Sequence, residues 1–187
     1  MTAPTTTTFV GAKGGVGTTT VAALHAVQLA RLGCPVRLSA IDPAGVDDLA
    51  AVVGLPTPEP GTAAEVLPGL TLAEGLDPAL DNVVDGGTDS FSDHHGCVYV
   101  VLRNDYLSVR RALNVPQTTA GLVLISEPDR ALTTRDVVEV VGRPVVAELR
   151  LDAAIARAVD AGLLTSARLR SARHLTLSLA TESCRTR

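Results

Sequence analysis

The sequence predicts an α/β fold, a single doubly wound, largely parallel sheet with helices on both faces. Three observations predict it. Short β-branched or apolar runs alternate with Ala- and Leu-rich runs across nearly the whole chain. Glycine, proline and aspartate punctuate most of the boundaries between them. The length of 187 residues and the hydrophobic fraction of 46% suit one domain with a buried core, and no internal repeat or linker divides the chain.

Thr5 to Val10 is rich in β-branched residues and runs into Gly11, which reads as a buried strand and a tight loop. Thr18 to Leu32 then reads as a helix, with Gly33 placed for a left-handed stop. Val36 to Ile41 is a second strand ending at Asp42-Pro43, and Val46 to Val53 a short helix closed by Gly54. The Pro- and Gly-rich stretch from Leu55 to Gly69 reads as a surface connection holding one helical turn, followed by a strand over Leu70 to Ala73. Asn82 to Asp85 and Cys97 to Leu102 read as central strands, separated by a polar loop from Thr88 to Gly96.

A helix over Tyr106 to Leu113 leads to a strand over Gly121 to Ser126. Thr133 is a suitable N-cap for a helix over Thr134 to Val141, which Gly142 stops. Val145 to Leu149 is the last strand, and Asp152 caps a helix that runs to Ala161 and ends at Gly162. From Thr165 a further helix begins, whose end the pattern does not set.

Composition excludes more than it names. A formal charge of -4 argues against a dedicated nucleic-acid binder. Cys34, Cys97 and Cys184 are too few and too widely spaced for a disulfide framework or a paired zinc motif. No segment reaches the roughly 18 to 20 apolar residues of a membrane span, and Met1 to Thr8 lacks a basic region followed by an apolar stretch, so a cytoplasmic location is expected. Every positive side chain is arginine except Lys13, and that exception falls inside the glycine-rich loop, where a compact ammonium acts as a point charge on phosphate.

A glycine-rich loop between strand and helix lets backbone N–H groups surround phosphate oxygens, while the helix N-terminus adds partial positive charge. Gly14, Gly15 and Gly17 meet that need. The general pattern of Gly, four residues, then Gly-Lys-Ser/Thr is not matched, because Ala12 stands at the first Gly position and Thr18 at the Lys position.

The segment Gly11-Ala-Lys-Gly-Gly-Val-Gly-Thr-Thr-Thr20 instead resembles the deviant Walker A loop of the ParA/MinD group of P-loop NTPases, which carries an extra lysine before the paired glycines. Lys13 matches that lysine. The resemblance implies a homodimeric, ATP-responsive switch in which Lys13 reaches the partner's nucleotide, with ATP/ADP and Mg2+ as cofactors. The expected nucleotide site is Lys13, Gly14, Gly15, Val16, Gly17, Thr18, Thr19 and Thr20, and Thr19 matches the hydroxyl that coordinates magnesium.

Ile41-Asp-Pro-Ala-Gly45 looks like the family's Asp-x-Asp-Pro-Gln-Gly segment, so Asp42 matches the catalytic acid that orients water. Ala40 and Ala44 replace the first acid and the Gln. Val83-Val-Asp85 before Gly86 looks like the Walker B strand with its metal-linked acid. Val98 to Ala112 and Gly121 to Leu164 look like the family's C-terminal half, particularly its CpaE/TadZ-like branch, so the likeness covers roughly Thr5 to Leu164.

Thr18 limits the enzymatic inference. Threonine can donate one neutral hydrogen bond but supplies no charge, and loss of one transition-state donor slows such chemistry by about two to three orders of magnitude. The expectation is a partition or positioning switch that binds ATP with weak or absent hydrolysis. The alternative is a pseudo-ATPase acting as a dimeric interaction scaffold independent of nucleotide.

Plainer readings stand beside these. Asp42 is also placed to cap a turn before Pro43, and Asp85-Gly86 is ordinary turn chemistry. Asp93-His94-His95-Gly96-Cys97 is too cramped for a metal site and reads as a solvated loop. Residues 151 to 187 hold six arginines against three acids, which is either a solvated helix face and tail or a surface for nonspecific DNA. Leu175, Leu177 and Leu179 repeat every second residue, which argues against an amphipathic membrane helix. Arg103, Arg110 and Arg111 are further positive charges that sequence spacing does not place at the loop.

Overall fold

A computed structural model describes residues 4–88, 96–151 and 153–166. Strand β1 (Thr6–Gly11) runs into the glycine-rich loop and helix α1 (Thr18–Arg31). Then follow β2 (Val36–Ala40), α2 (Pro43–Val53), β3 (Ala63–Leu67), β4 (Leu70–Ala73) and β5 (Asp81–Asp85). The second half holds β6 (Cys97–Arg103), α3 (Tyr106–Ala112), β7 (Gly121–Ser126), α4 (Thr134–Val141), β8 (Val145–Arg150) and α5 (Ala153–Asp160).

The eight strands form one sheet in the order β3-β4-β2-β5-β1-β6-β7-β8. All neighbours are parallel except β3 and β4. Alternation along each strand decides which helix layer it feeds, because successive side chains point to opposite faces. Tyr99, Val101, Val123 and Ile125 join Phe9 in the core packed with α1, α2 and α5. Their neighbours Val100, Leu102, Leu122 and Leu124 face the other way, into a smaller core with Val109 and Ala112 of α3 and Val137 of α4. The expected fold class is therefore the observed one.

Two boundaries differ from expectation. Leu55 to Gly69 is not wholly a surface connection, since Ala63–Leu67 is the edge strand β3, paired antiparallel to β4. Helix α2 starts at Pro43 and not at Val46, because Asp42 is its N-cap and Pro43 occupies the first turn, where its missing N–H costs nothing. Asp152, the histidines at 94 and 95, Cys184, the leucines at 175, 177 and 179, and the arginines from 168 onward lie outside the described residues, as does the further helix beyond Ser166. Among the described residues no helix is long and apolar enough to cross a membrane.

Parallel pairing brings the carboxyl ends of every strand but β3 to one edge of the sheet. In open sheets of this kind, ligands bind in the crevice outside those ends.

Candidate functional site

The loop after β1 is held from both sides. Gly11 N–H donates to Gly87 O and Ala12 N–H to Val101 O, at 2.7 and 2.8 Å. Val21 N–H donates to Gly17 O. The loop turns at Gly14–Gly15, and among the described residues no backbone acceptor takes the N–H of Lys13, Gly14, Gly15, Gly17, Thr18, Thr19 or Thr20. Buried or clustered N–H groups ordinarily find partners, and a run left open at the start of a helix is the arrangement that receives an anion.

Glycine is required here for specific reasons. Gly17 has φ +100°, and a Cβ on it would stand 2.8 Å from Ile125 Cδ1. Gly14 and Gly15 would meet nothing within 4 Å, so the crown of the loop is open. Val16, between them and Gly17, is fully buried and anchors the loop in the core.

Thr19 and Asp85, expected on the magnesium, lie within hydrogen-bond reach of each other. The Thr19 hydroxyl donates to Asp85 Oδ2 at 2.6 Å, and Gly87 N–H donates to Asp85 Oδ1 at 3.0 Å. Burial pushes the Asp85 carboxyl above the usual carboxylate range, while those two hydrogen bonds oppose the shift. A half-buried hydroxyl and a buried carboxylate, both hard oxygen donors, beside an open set of N–H groups fit magnesium together with a phosphate group.

Lys13 is half-buried and close enough to Asp105 for its charge to act there. Burial works against ionising Asp105, yet the Ser108 N–H and hydroxyl, with Lys13, hold its carboxyl below the usual range. Thr18 is buried, and its Oγ1 lies 2.5 Å from where a Cβ on Gly11 would stand. Thr20 is half-buried in the first turn of α1.

Asp42 is exposed at the carboxyl end of β2, and its Oδ1 accepts from Ala44 N–H at 3.0 Å. That bond is a helix cap, so the plainer role of Asp42 is realised, while no contact joins it to the loop. Arg110 and Arg111 occupy the last turn of α3. Arg103 is the residue whose role sequence reasoning left open: its Nε–H donates to Val16 O at 3.4 Å and its Nη1 to Glu127 Oε1 at 2.7 Å. Glu127 is held in turn by Arg130.

Next to Glu127 lies a cavity of about 400 Å³, lined by Asn104, Ser126, Pro128, Leu132, Glu148 and Arg150 among others. It opens at the carboxyl ends of β6, β7 and β8, and the buried Ser126 hydroxyl has no hydrogen-bond partner among the described residues. A second cavity of about 430 Å³ is lined by Thr8, Ser39 and Leu76, and neither cavity has a residue of the loop from Lys13 to Thr20 in its lining. Among the described residues no group of three His, Cys, Asp or Glu side chains gathers as a metal cluster.

No protein-family model and no curated protein matches the chain. Solved structures do. A ParA family ATPase from Chlorobium tepidum superposes with a TM-score of 0.72 at 17% identity, over 95% of this chain and 99% of that one. MinD in the MinC:MinD cell division complex of Aquifex aeolicus gives 0.76 at 15% identity, over 96% of each chain. MinD from Pyrococcus horikoshii, complexed with Mg-ADP, gives 0.74 at 14%, again over 96% of each. At these identities the likeness establishes the fold.

Proposed function

From a chain with the ParA/MinD P-loop NTPase fold, we propose a nucleotide-responsive switch for partition or intracellular positioning, which binds adenine nucleotide with magnesium and hydrolyses ATP weakly or not at all. The observation that carries this reading is the set of unclaimed backbone N–H groups on both sides of Val16, from Lys13 to Gly15 and from Gly17 to Thr20, beside the Thr19–Asp85 pair. Those N–H groups would take the phosphates, with Lys13 as the charged side chain. Thr19 and Asp85 would hold Mg2+, which neutralises phosphate charge when bound. The cavity at Ser126 and Asn104 has the volume for a nucleoside.

Support also comes from the solved structures. One MinD of this fold is complexed with Mg-ADP and another is paired with the partner protein MinC. On this reading the switch is dimeric, as the Lys13 signature implies, and its output is recruitment of a protein partner.

Hydrolysis is the weakest part of the function. Thr18 brings no charge to the phosphates, and Asp42 is engaged as the cap of α2. A hydrolytic version needs Asp42 to orient water, and its mark is magnesium-dependent phosphate release that Asp42→Ala abolishes. The second reading, a dimeric scaffold independent of nucleotide, is favoured by that engaged Asp42 and by the packing of Thr18 against Gly11.

Calorimetry with Mg-ADP and Mg-ATP, with Lys13→Ala as control, tests the proposal. Specific binding that the variant loses supports it. Absence of binding at millimolar nucleotide, with a dimer of equal affinity in its presence and absence, selects the scaffold.

A further inference from the structure

We propose that Arg103 is a positioning residue for the phosphate loop, which it braces from behind through the Val16 carbonyl; this rests on the loop being a nucleotide site. Arg103 ends β6 and stands in register with Ile125 of β7, so its side chain emerges where the loop passes between the two strand ends. There its guanidinium meets both Val16 O and Glu127 Oε1.

The geometric consequence follows from the planarity of the peptide unit. The C=O of Val16 and the N–H of Gly17 belong to one peptide plane and point in opposite directions across it. No cis peptide bond is present among the described residues, so this holds at Val16–Gly17. A donor that fixes the carbonyl toward the ends of β6 and β7 therefore fixes the Gly17 N–H away from them. Gly17 sits in the left-handed region at φ +100° and ψ 27°, where nothing in its own side chain restrains the plane. The Ile125 side chain closes off the same flank.

The brace is itself held. The Glu127 carboxylate receives Arg103 on one oxygen and Arg130 on the other, and the Glu127 side chain is only 15% exposed. Glu127 is held below the usual carboxylate range by the Arg130 hydrogen bond and by Arg103, so it stays ionised as an anchor near neutral pH. Its backbone is pinned too: Glu127 N–H donates to Asn104 Oδ1, and Asn104 Nδ2 donates to Glu127 O. A guanidinium suits this task because its planar fork directs Nε–H and Nη–H to two acceptors at once, which a lysine ammonium on a flexible stem does not reproduce. Arg103 thus supplies the order, and part of the positive field, that a loop without its usual lysine lacks.

The test measures Mg-ADP affinity by calorimetry and the Gly17 amide resonance by NMR, in the wild-type chain and in Arg103→Gln, Arg103→Lys and Glu127→Gln. Arg103→Gln and Arg103→Lys should each weaken binding about tenfold and move the Gly17 amide resonance of the free protein. Glu127→Gln should do the same to a smaller degree, and serves where an Arg103 variant fails to fold. Wild-type affinity and an unmoved Gly17 resonance in folded variants would overturn the inference while leaving the nucleotide site intact. Full recovery in Arg103→Lys would also overturn it, since charge alone would then suffice. If the wild-type chain binds no Mg-ADP, the nucleotide reading fails, and this one with it.

Discussion

The Thr18 hydroxyl occupies the space in front of Gly11, 2.5 Å from the position a Cβ there would take. The side chain at the lysine position of the loop is thus turned into the protein. Thr18→Lys exchanges that packing for a charge on the phosphate side. We expect it to tighten Mg-ATP binding about tenfold and to raise hydrolysis by about two to three orders of magnitude, the inverse of losing one such donor. Calorimetry and phosphate release measure the two effects, and a Thr18→Lys chain no better than wild type would show that the rest of the site cannot support the chemistry.

Burial of Asp85 carries a cost in the free protein. Its folded-state pKa is raised, so the folded chain holds that proton to higher pH than the unfolded chain does. Stability from this group therefore falls as pH rises from the ordinary carboxylate range through the raised value, and stays lower at neutral pH. Asp85→Asn removes the buried charge, keeps an oxygen to accept from Gly87 N–H, and turns an NH2 toward Thr19 Oγ1, which can accept from it. The variant should melt higher than wild type at pH 7 without ligand while losing magnesium-dependent nucleotide binding. A melting temperature below wild type would contradict this account.

His25 gives the opposite dependence. Burial in α1 against Phe9 lowers its pKa to about 4, with Asp81 opposing the shift. Neutral in the fold, it contributes stability that is complete above the unfolded value near 6.5 and is lost as pH falls toward 4. At about 1.4 kcal/mol per pKa unit, the loss across that window is about 3 kcal/mol. Urea titrations at pH 7 and pH 4 should show it, and His25→Leu should remove most of the difference between them.

Gly54 and Gly162 stop α2 and α5 at a shared point. A Cβ on Gly54 would stand 2.2 Å from Gly162 O, and Gly54 has φ +79°. Gly54→Ala should therefore cost about 2 kcal/mol or more, combining left-handed backbone strain with a backbone clash. Gly33→Ala, also at positive φ but with open space around it, should cost only the strain. Equal losses in the two variants would argue against the packing contribution.

The parts legible in the sequence were those with local causes. The strand, loop and helix around Gly11 to Thr20 follow from glycine spacing and β-branched content, and the Thr133 cap is realised as a full capping box with Asp136. The edge strand Ala63–Leu67 was hidden because its AAEVL run lacks clean alternation and depends on one antiparallel neighbour. The start of α2 was hidden by Pro43, which interrupts a helix in its interior but suits its first turn. The Arg103–Glu127 ion pair has no local signature at all. It arises because parallel pairing sets Arg103 beside Ile125, two residues short of Glu127 in the chain.

Helix α2 begins beside Asp42 at the ligand edge of the sheet and ends where Gly54 meets Gly162. Its 11 residues form a stiff rod of about 16 Å. Near its far end the chain is also tied to α1, through the Arg31 guanidinium on Thr165 O. The close approach of Gly54 to Gly162 thus makes the α2–α5 corner, with Arg31 on Thr165 O beside it, a packed joint at the end of α2 away from Asp42.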